Sequence, residues 1–236
     1  MDPLSPPSIR DFYAFEAHVR AARARRGLEM DPGWYDEPVF YFSNPGVLLG
    51  DGDEVRFPAR SSEWDYELEV ALVIATDCSD VAAGDWRSVA AGFTIMNDWS
   101  ARDLQRVEMK QGLGPAKGKD FATSLGPRVV PVSEVPADAA MVARVNGVEL
   151  SRGVLSDMHF GWGRLVEHAS RDSRLRAGDV LGSGTVGTGC LLETGLPWLQ
   201  EGDDVELEVD GIGLLRNRVG PPRGTPATVP APVKGV

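Results

Sequence analysis

Apolar residues in this chain recur mainly at the two-residue spacing of β-strands. The clearest strand, Tyr66–Ile74, begins in alternation and ends wholly apolar, which is typical of a strand inside a sheet. Asn146–Gly147 and Asp210–Gly211 each separate two apolar segments, so they predict the turns of two hairpins. Further strands are predicted at 39–42, 47–49, 89–97, 129–132 and the start of 180–189, which ends as a glycine loop.

Fewer segments have the pattern of a helix. Apolar residues within 12–19 recur at helical spacing, so a helix is predicted from Ile9 to Arg26, with Ser8 as its cap. Shorter helices are predicted at 102–109 and 159–170. Strands outnumber helices and no regular β-α-β alternation is present, which predicts a β-rich mixed α/β fold and argues against a doubly wound parallel sheet.

The length of 236 residues suits one large domain. We place this domain at 8–220, with a lid segment at about 8–45, between an extended arm at 1–7 and a proline-rich tail at 221–236. The formal charge of -11 argues against a nucleic-acid partner. No stretch approaches the apolar length of a membrane span, and no signal peptide is recognised. The two cysteines are far apart in sequence, which fits a reduced, cytoplasmic protein.

Glu67 and Glu69 are the first candidates for chemistry. In a strand they share one face, with Cα atoms about 7 Å apart, so both carboxylates could reach one hard cation such as Mg²⁺. The alternative is a solvated strand face, because Glu63 and Asp65 have the same parity. The same four letters recur at 206–209, but a hairpin turn follows them, so we expect that copy to be solvated.

Two further acids have an open interpretation. Asp98 ends an apolar strand, where it is either a site residue or the cap of the following helix. Asp11 either completes a capping box with Ser8 or faces the same way as His18, two helical turns later. In the second case the helix would present an acid and a histidine to a metal site.

With these residues assembled, the chain resembles the fumarylacetoacetate hydrolase family over about 9–219. The resemblance implies an unusual β-sandwich or β-roll with a few short helices and an N-terminal helical lid, commonly as a homodimer. The segments that carry it are RDFYAFEAH, WDYELEVALVI, GFTIMNDWSARDLQ, GKDFATSLGP and GSGTVG.

The resemblance also implies roles for individual residues. It implies that Mg²⁺, or Mn²⁺ or Ca²⁺, is bound by Glu67, Glu69, Asp98 and Asp11. It implies catalytic roles for His18, Lys119 and Gln105, with Glu193 as the carboxylate that holds His18. The substrate-binding residues that it implies are Tyr41, Thr123, Thr185 and either Arg25 or Arg26, of which we choose Arg25.

The implied activity is metal-dependent hydrolysis of a C–C bond in a 2,4-dioxo acid similar to an acylpyruvate or fumarylpyruvate. In that reaction His18 activates water and an enolate held by the metal departs. The alternative is a decarboxylase, isomerase or hydratase that acts on a related 2-oxo or 2-hydroxy-dienoic acid. A metal-binding protein without catalysis is the third reading. In the first two readings the partner is a small 2-oxo acid.

Other motifs are interpreted as structural. The glycines of 182–187 fit GxGxxG, but too many Gly and Pro residues follow for the helix that a dinucleotide site needs. No histidine neighbours Cys190 in sequence, so we expect a buried thiol. His159 and His168 have no nearby residues that suggest metal ligands, so we expect them to be structural.

Overall fold

The computed structural model describes residues 5–224, and the secondary structure is dominated by strands. The strands are β1 Ile9–Phe12, β2 Phe40–Ser43, β3 Leu48–Leu49, β4 Glu54–Val55, β5 Trp64–Asp65, β6 Leu68–Ile74, β7 Ala90–Asn97, β8 Ser100–Ala101, β9 Thr123–Leu125, β10 Ala140–Val145, β11 Val148–Val154, β12 Val180–Gly182, β13 Asp204–Val209 and β14 Gly213–Val219. The helices are α1 Glu16–Ala24, α2 Arg102–Met109, α3 Trp162–Ser170 and α4 Leu191–Thr194.

The strands form two large sheets and one small one. The first sheet has seven strands in the order β2-β1-β12-β6-β7-β9-β3, and the second has five in the order β11-β10-β13-β14-β4. β5 and β8 pair separately. The second sheet packs on the first through β10, β13 and β14, which contact β6 and β7. The mixed, strand-rich architecture expected from the sequence is therefore confirmed, and so are the two hairpins.

β6 separates two apolar layers because every residue in it is buried. Its even-numbered residues face the main core between the sheets. The odd-numbered Ala71 and Val73 lie on the other face, in a small cluster with Ile9, Met96 and Val180. The acidic residues described below lie on this second face of the sheet.

The prediction of one long helix from Ile9 to Arg26 is wrong. Ile9–Phe12 is a strand that pairs with both β2 and β12, and the helix begins only at Glu16. Two sheet neighbours outweigh local helical spacing here, because the strand gains backbone hydrogen bonds on both edges. Ser8 caps no helix and instead donates to Asp179 Oδ1 at 2.8 Å. The strand predicted at 129–132 is also wrong, since only Val130 forms an isolated bridge.

The predicted arm and tail lie partly outside the described residues, which exclude 1–4 and 225–236. Within the described part of the chain, none of the helices combines the length and the apolar character that crossing a bilayer requires.

Candidate active site

The acidic residues continue the second apolar face of the large sheet. Asp11 follows Ile9 by two positions on β1, and Glu69 precedes Ala71 by two on β6. Asp98 lies two positions after Met96, just past the end of β7. Because side chains alternate across a strand, all three carboxyls come to the face that Ile9, Ala71 and Met96 occupy. The sheet therefore gathers acids from three different strands at one edge of an apolar cluster.

Glu67 is the most heavily paired carboxylate of this group. Its Oε1 accepts a hydrogen bond from Arg102 Nη2 at 2.7 Å, and its Oε2 accepts one from Lys119. His18 Nε2 lies 3.9 Å from Oε1. Burial acts to raise the pKa of Glu67, but the charges of Arg102 and Lys119 outweigh it and hold the pKa well below its usual range. Glu67 is thus an anion at neutral pH.

The Tyr41 hydroxyl lies between two of the acids, Asp11 and Asp98. Its hydroxyl lies 2.7 Å from Asp11 Oδ2 and also contacts Asp98 Oδ2. A phenol has one proton to donate, so both contacts are hydrogen bonds only if one carboxyl carries a proton. Burial and the charge of Asp98 raise the pKa of Asp11 to about 8. Asp11 is therefore one carboxyl of this cluster that can hold the proton.

Glu69 lies against the glycine loop after β12. Its Oε2 accepts the Gly184 N–H at 3.1 Å, and its Oε1 lies 3.4 Å from Thr185 Oγ1. A Cβ at Gly182 would lie 2.6 Å from Asp11 Oδ1 and 3.0 Å from Glu69 Oε2. The space that a side chain at Gly182 would fill is taken by these two carboxyls and by Met96 Cε, which lies 2.4 Å from the same point. Burial, followed by the charges of Asp11 and Asp98, raises the pKa of Glu69 well above its usual range.

The donor set fits a hard divalent cation. The four acids Asp11, Glu67, Glu69 and Asp98 are buried, yet the cations in contact with them are only Lys119 and Arg102 among the residues described. The Oδ1 atoms of Asp11 and Asp98 are buried and accept no hydrogen bond from residues 5–224. Buried carboxylates are unfavourable unless they are paired or bound to metal, and oxygen ligands suit Mg²⁺. The solvated strand face considered above for Glu67 and Glu69 is wrong.

His18 and Glu193 form a hydrogen-bonded pair beside these acids. His18 Nδ1 lies 2.6 Å from Glu193 Oε1, with both side chains buried. α1 supplies the imidazole and α4 the carboxylate, so residues far apart in sequence meet. An ionised Glu193 can only accept, which puts the proton on Nδ1 and leaves Nε2 free to accept. Arg25 lies at the exposed end of α1, where its Nη2 donates to the Glu193 carbonyl at 3.4 Å.

Arg102 and Asp65 are site residues that the sequence reasoning missed. Arg102 Nε donates to Asp65 Oδ2 at 2.8 Å, while its Nη2 holds Glu67. Asp65 also accepts the backbone N–H groups of Leu191 and Leu192, at the start of α4. The strand parity of Asp65 was the available signal, but it pointed equally to solvent. The network ties Glu67 to the helix that carries Glu193.

Lys119 bridges the acids, and its loop is held by a carboxylate on α2. Its Nζ contacts both Glu67 and Asp98. Burial acts to lower the pKa of Lys119, but Asp98 and Glu67 more than compensate and raise it. Glu108 accepts the backbone N–H groups of three residues just before this lysine, which are Ala116, Lys117 and Gly118, at 2.6–3.0 Å. The lysine is thus a fixed cation.

The remaining expected residues surround this centre. Gln105 Oε1 accepts from Arg102 Nη1 at 3.1 Å. Thr123 is buried in β9, where its Oγ1 has no partner among the described residues. Tyr13, which the sequence reasoning missed, packs its ring edge-on to His18, with 5.4 Å between the ring centroids.

A cavity of about 250 Å³ adjoins the centre and is lined by Tyr41, Phe42, Ser43, Asn44, Pro115, Ala116, Lys119 and Asp120.

Several alternatives from the sequence are now decided. Asp98 is not a helix cap, because Ala101 occupies that position before α2. Asp11 forms no capping box and shares no helix face with His18, since it lies in β1. The second copy of the four letters, 206–209, lies in β13, where Glu208 pairs with Arg144 on a solvated face of the second sheet. The 182–187 glycines open no helix but line Glu69.

Comparison with known proteins matches this chain to one protein family, to relatives of known name and to a solved structure. The sequence pattern of a family described as fumarylacetoacetate (FAA) hydrolase C-terminal matches residues 8–220. Oxaloacetate tautomerase YisK of Bacillus subtilis is 34% identical over 224 residues, which cover 92% of this chain and 72% of that protein. The 4-hydroxyphenylacetate degradation bifunctional isomerase/decarboxylase of Escherichia coli is 29% identical over 81% of this chain and 43% of its own length. The crystal structure of 5-carboxymethyl-2-hydroxymuconate delta-isomerase from Mycobacterium smegmatis matches with a TM-score of 0.76 and 31% identity, covering 94% of this chain and 81% of that chain.

Proposed function

Because the chain belongs to the fumarylacetoacetate hydrolase family, we propose that it is a divalent-metal-dependent hydrolase that cleaves a C–C bond in a 2,4-dioxo acid. The observation that carries this proposal is the buried pair of His18 and Glu193, whose Nδ1–Oε1 distance is 2.6 Å. Hydrolysis needs a base that takes a proton from water, and a buried imidazole held by a carboxylate is such a base.

Proteins of this family typically bind a divalent metal ion. The residues that would hold it are Glu67, Glu69, Asp98 and Asp11, whose oxygen ligands suit a hard cation such as Mg²⁺. When bound, the ion acts as a Lewis acid for the carboxylate and neighbouring carbonyl of a 2-oxo acid.

The residues of the chain then divide the work of hydrolysis. His18 Nε2 accepts a proton from the water that attacks the carbonyl remote from the carboxylate, and Glu193 stabilises the imidazolium. The C–C bond breaks, one fragment leaves as a carboxylic acid, and the other leaves as the enolate of a 2-oxo acid. Lys119, with a raised pKa, keeps a positive charge beside the developing oxyanion. The proton taken up by His18 passes to the enolate carbon, which restores the base and completes the reaction.

Product analysis tests the proposal directly. We would incubate the protein with Mg²⁺ and an acylpyruvate and identify the products by NMR. Equal amounts of pyruvate and a second carboxylic acid are expected. Carbon dioxide without a second acid, or an isomerised substrate, would overturn hydrolysis. Glu193→Gln is expected to lower kcat by about 100-fold or more, because the imidazolium loses its counter-charge.

A second candidate is isomerisation, tautomerisation or decarboxylation of a related 2-oxo acid. The named activities of the relatives favour it, and the same base could remove a proton from carbon instead of water. It predicts exchange of the C3 hydrogens of oxaloacetate in deuterated water at a rate that depends on His18. Exchange without cleavage of any dioxo acid would favour this candidate over hydrolysis.

A further inference from the structure

Three different metal-ligating atoms meet next to the acidic cluster. His18 Nδ1 lies 2.6 Å from Glu193 Oε1, and Cys190 Sγ lies 3.4 Å from the same oxygen. The three donor atoms all lie within 4.8 Å of one another. We call His18, Cys190 and Glu193 the mixed-donor trio. The trio supplies one nitrogen, one sulfur and one oxygen, whereas the four acids supply oxygen only.

The two donor sets suit different cations. Oxygen ligands favour Mg²⁺, whereas imidazole, thiolate and carboxylate together are typical of Zn²⁺. Zinc bonds of about 2.1 Å to nitrogen and 2.3 Å to sulfur place tetrahedral ligands about 3.6 Å apart. Glu193 Oε1 lies 3.4 Å from Cys190 Sγ but only 2.6 Å from His18 Nδ1, so the Glu193 side chain must move away from His18 to admit the ion. Three protein ligands leave a fourth position for water.

We propose that the mixed-donor trio is a second metal site, which binds Zn²⁺ and thereby disables His18 as a base. The protons balance as follows. The Cys190 thiol loses its proton to solvent when its sulfur binds the ion. The proton on His18 Nδ1 moves to Nε2 when Nδ1 becomes a ligand, so one proton is released in total.

The change of tautomer links this site to the active centre. His18 Nε2 faces Glu67 Oε1 at 3.9 Å, and it is the nitrogen free to accept a proton while Glu193 holds Nδ1. With zinc on Nδ1, Nε2 becomes an N–H donor and can no longer accept a proton. Zinc at the trio would therefore inhibit catalysis while the four acids still hold Mg²⁺.

Cobalt provides a readout that does not depend on activity. Co²⁺ occupies zinc sites, and a thiolate ligand gives it a near-ultraviolet sulfur-to-cobalt charge-transfer band that oxygen ligands do not give. With Mg²⁺ in excess to fill the acidic cluster, Co²⁺ is expected to give this band with the parent protein. Cys190→Ser should abolish the band and weaken zinc binding at least about tenfold in a competition with a chromophoric chelator. Cys78→Ser is the matched control, because Cys78 lies outside the trio, and it should keep the band.

Each result bears on the site alone. Absence of the band in the parent protein, its persistence in Cys190→Ser or its loss in Cys78→Ser would overturn the proposal. Glu193→Gln covers the case in which Cys190→Ser fails to fold: it should weaken cobalt binding at least about tenfold yet keep the band at saturation. Unchanged cobalt affinity in Glu193→Gln would count against the site. Because cobalt binding is measured without substrate, failure of the proposed hydrolysis would leave the metal site standing, and the reverse is also true. Only the loss of His18 as a base rests on the proposed function.

Discussion

Asp65 and Arg102 form a fully buried ion pair, with 2.8 Å between Oδ2 and Nε. Arg102 also holds Glu67, while Asp65 accepts two backbone N–H groups at the start of α4. The Asp65 carboxylate therefore connects Glu67, a proposed metal ligand, with the helix that carries Glu193. The two halves of the site, the acids and the base, share this support.

Asp65→Asn should destabilise the fold and displace the base. It leaves the Arg102 guanidinium buried with one fewer counter-charge, and breaking such a pair costs about 3 kcal/mol. Urea unfolding measures the loss. Asp204→Asn, which breaks the exposed pair with Arg218, is the control and should change the unfolding midpoint far less. Equal effects of the two substitutions would contradict the structural role of Asp65.

The repeated four letters offer a matched test of metal binding. Glu69→Gln should abolish the thermal stabilisation by Mg²⁺, because it removes a ligand charge from the centre of the acidic cluster. Mg²⁺ at about 100 times its Kd should stabilise the parent by about 2.7 kcal/mol. Glu208→Gln changes the same position of the second copy, on the solvated face of a strand, and should keep the full stabilisation. Stabilisation that survives in Glu69→Gln would remove Glu69 from the ligands.

Strand parity and motif order predicted much of this site, whereas tertiary pairing decided the rest. Glu67 and Glu69 could be paired from sequence because side chains alternate along one strand. The position of Asp11 could not be derived locally, because β1 is a strand only through its two sheet neighbours. The capping-box pattern at Ser8 was misleading for the same reason.

Buried charged residues whose partners are themselves buried and charged were the hardest to predict from the sequence. Asp65 has the parity of a solvated residue, and only its contacts with Arg102 and α4 make burial tolerable. Those partners lie 37 and more than 120 positions away in the chain, so no local pattern connects them. The resemblance to a family supplied Glu193, which no spacing rule would have chosen.

Proton binding at Asp11 should make the free energy of unfolding of the metal-free protein depend on pH. Burial, with the charge of Asp98, raises the pKa of Asp11 from 3.8 to about 8. Between these values the folded state binds a proton that the unfolded state does not, so the contribution of Asp11 to the free energy of unfolding falls as pH rises. Mg²⁺ should displace this proton. Calorimetry at about pH 6 in two buffers of different ionisation enthalpy should detect proton release, and release should shrink above about pH 8. Identical heats in both buffers at pH 6 would contradict the displacement of this proton by Mg²⁺.

Gly182 sets how closely two of the acids can approach. A Cβ there would lie 2.4 Å from Met96 Cε, 2.6 Å from Asp11 Oδ1 and 3.0 Å from Glu69 Oε2, so Gly182→Ala must displace the Met96 methyl and the Asp11 carboxyl and press on Glu69. The displaced atoms end flexible side chains, which can move, so the fold should survive while Mg²⁺ affinity falls at least about tenfold. Gly84→Ala is the control, because a Cβ at Gly84 meets no atom within 4 Å and should leave the affinity unchanged. Mg²⁺ titration followed by thermal unfolding measures both variants. Parent-like affinity in Gly182→Ala would mean that the ion does not need Asp11 and Glu69 together.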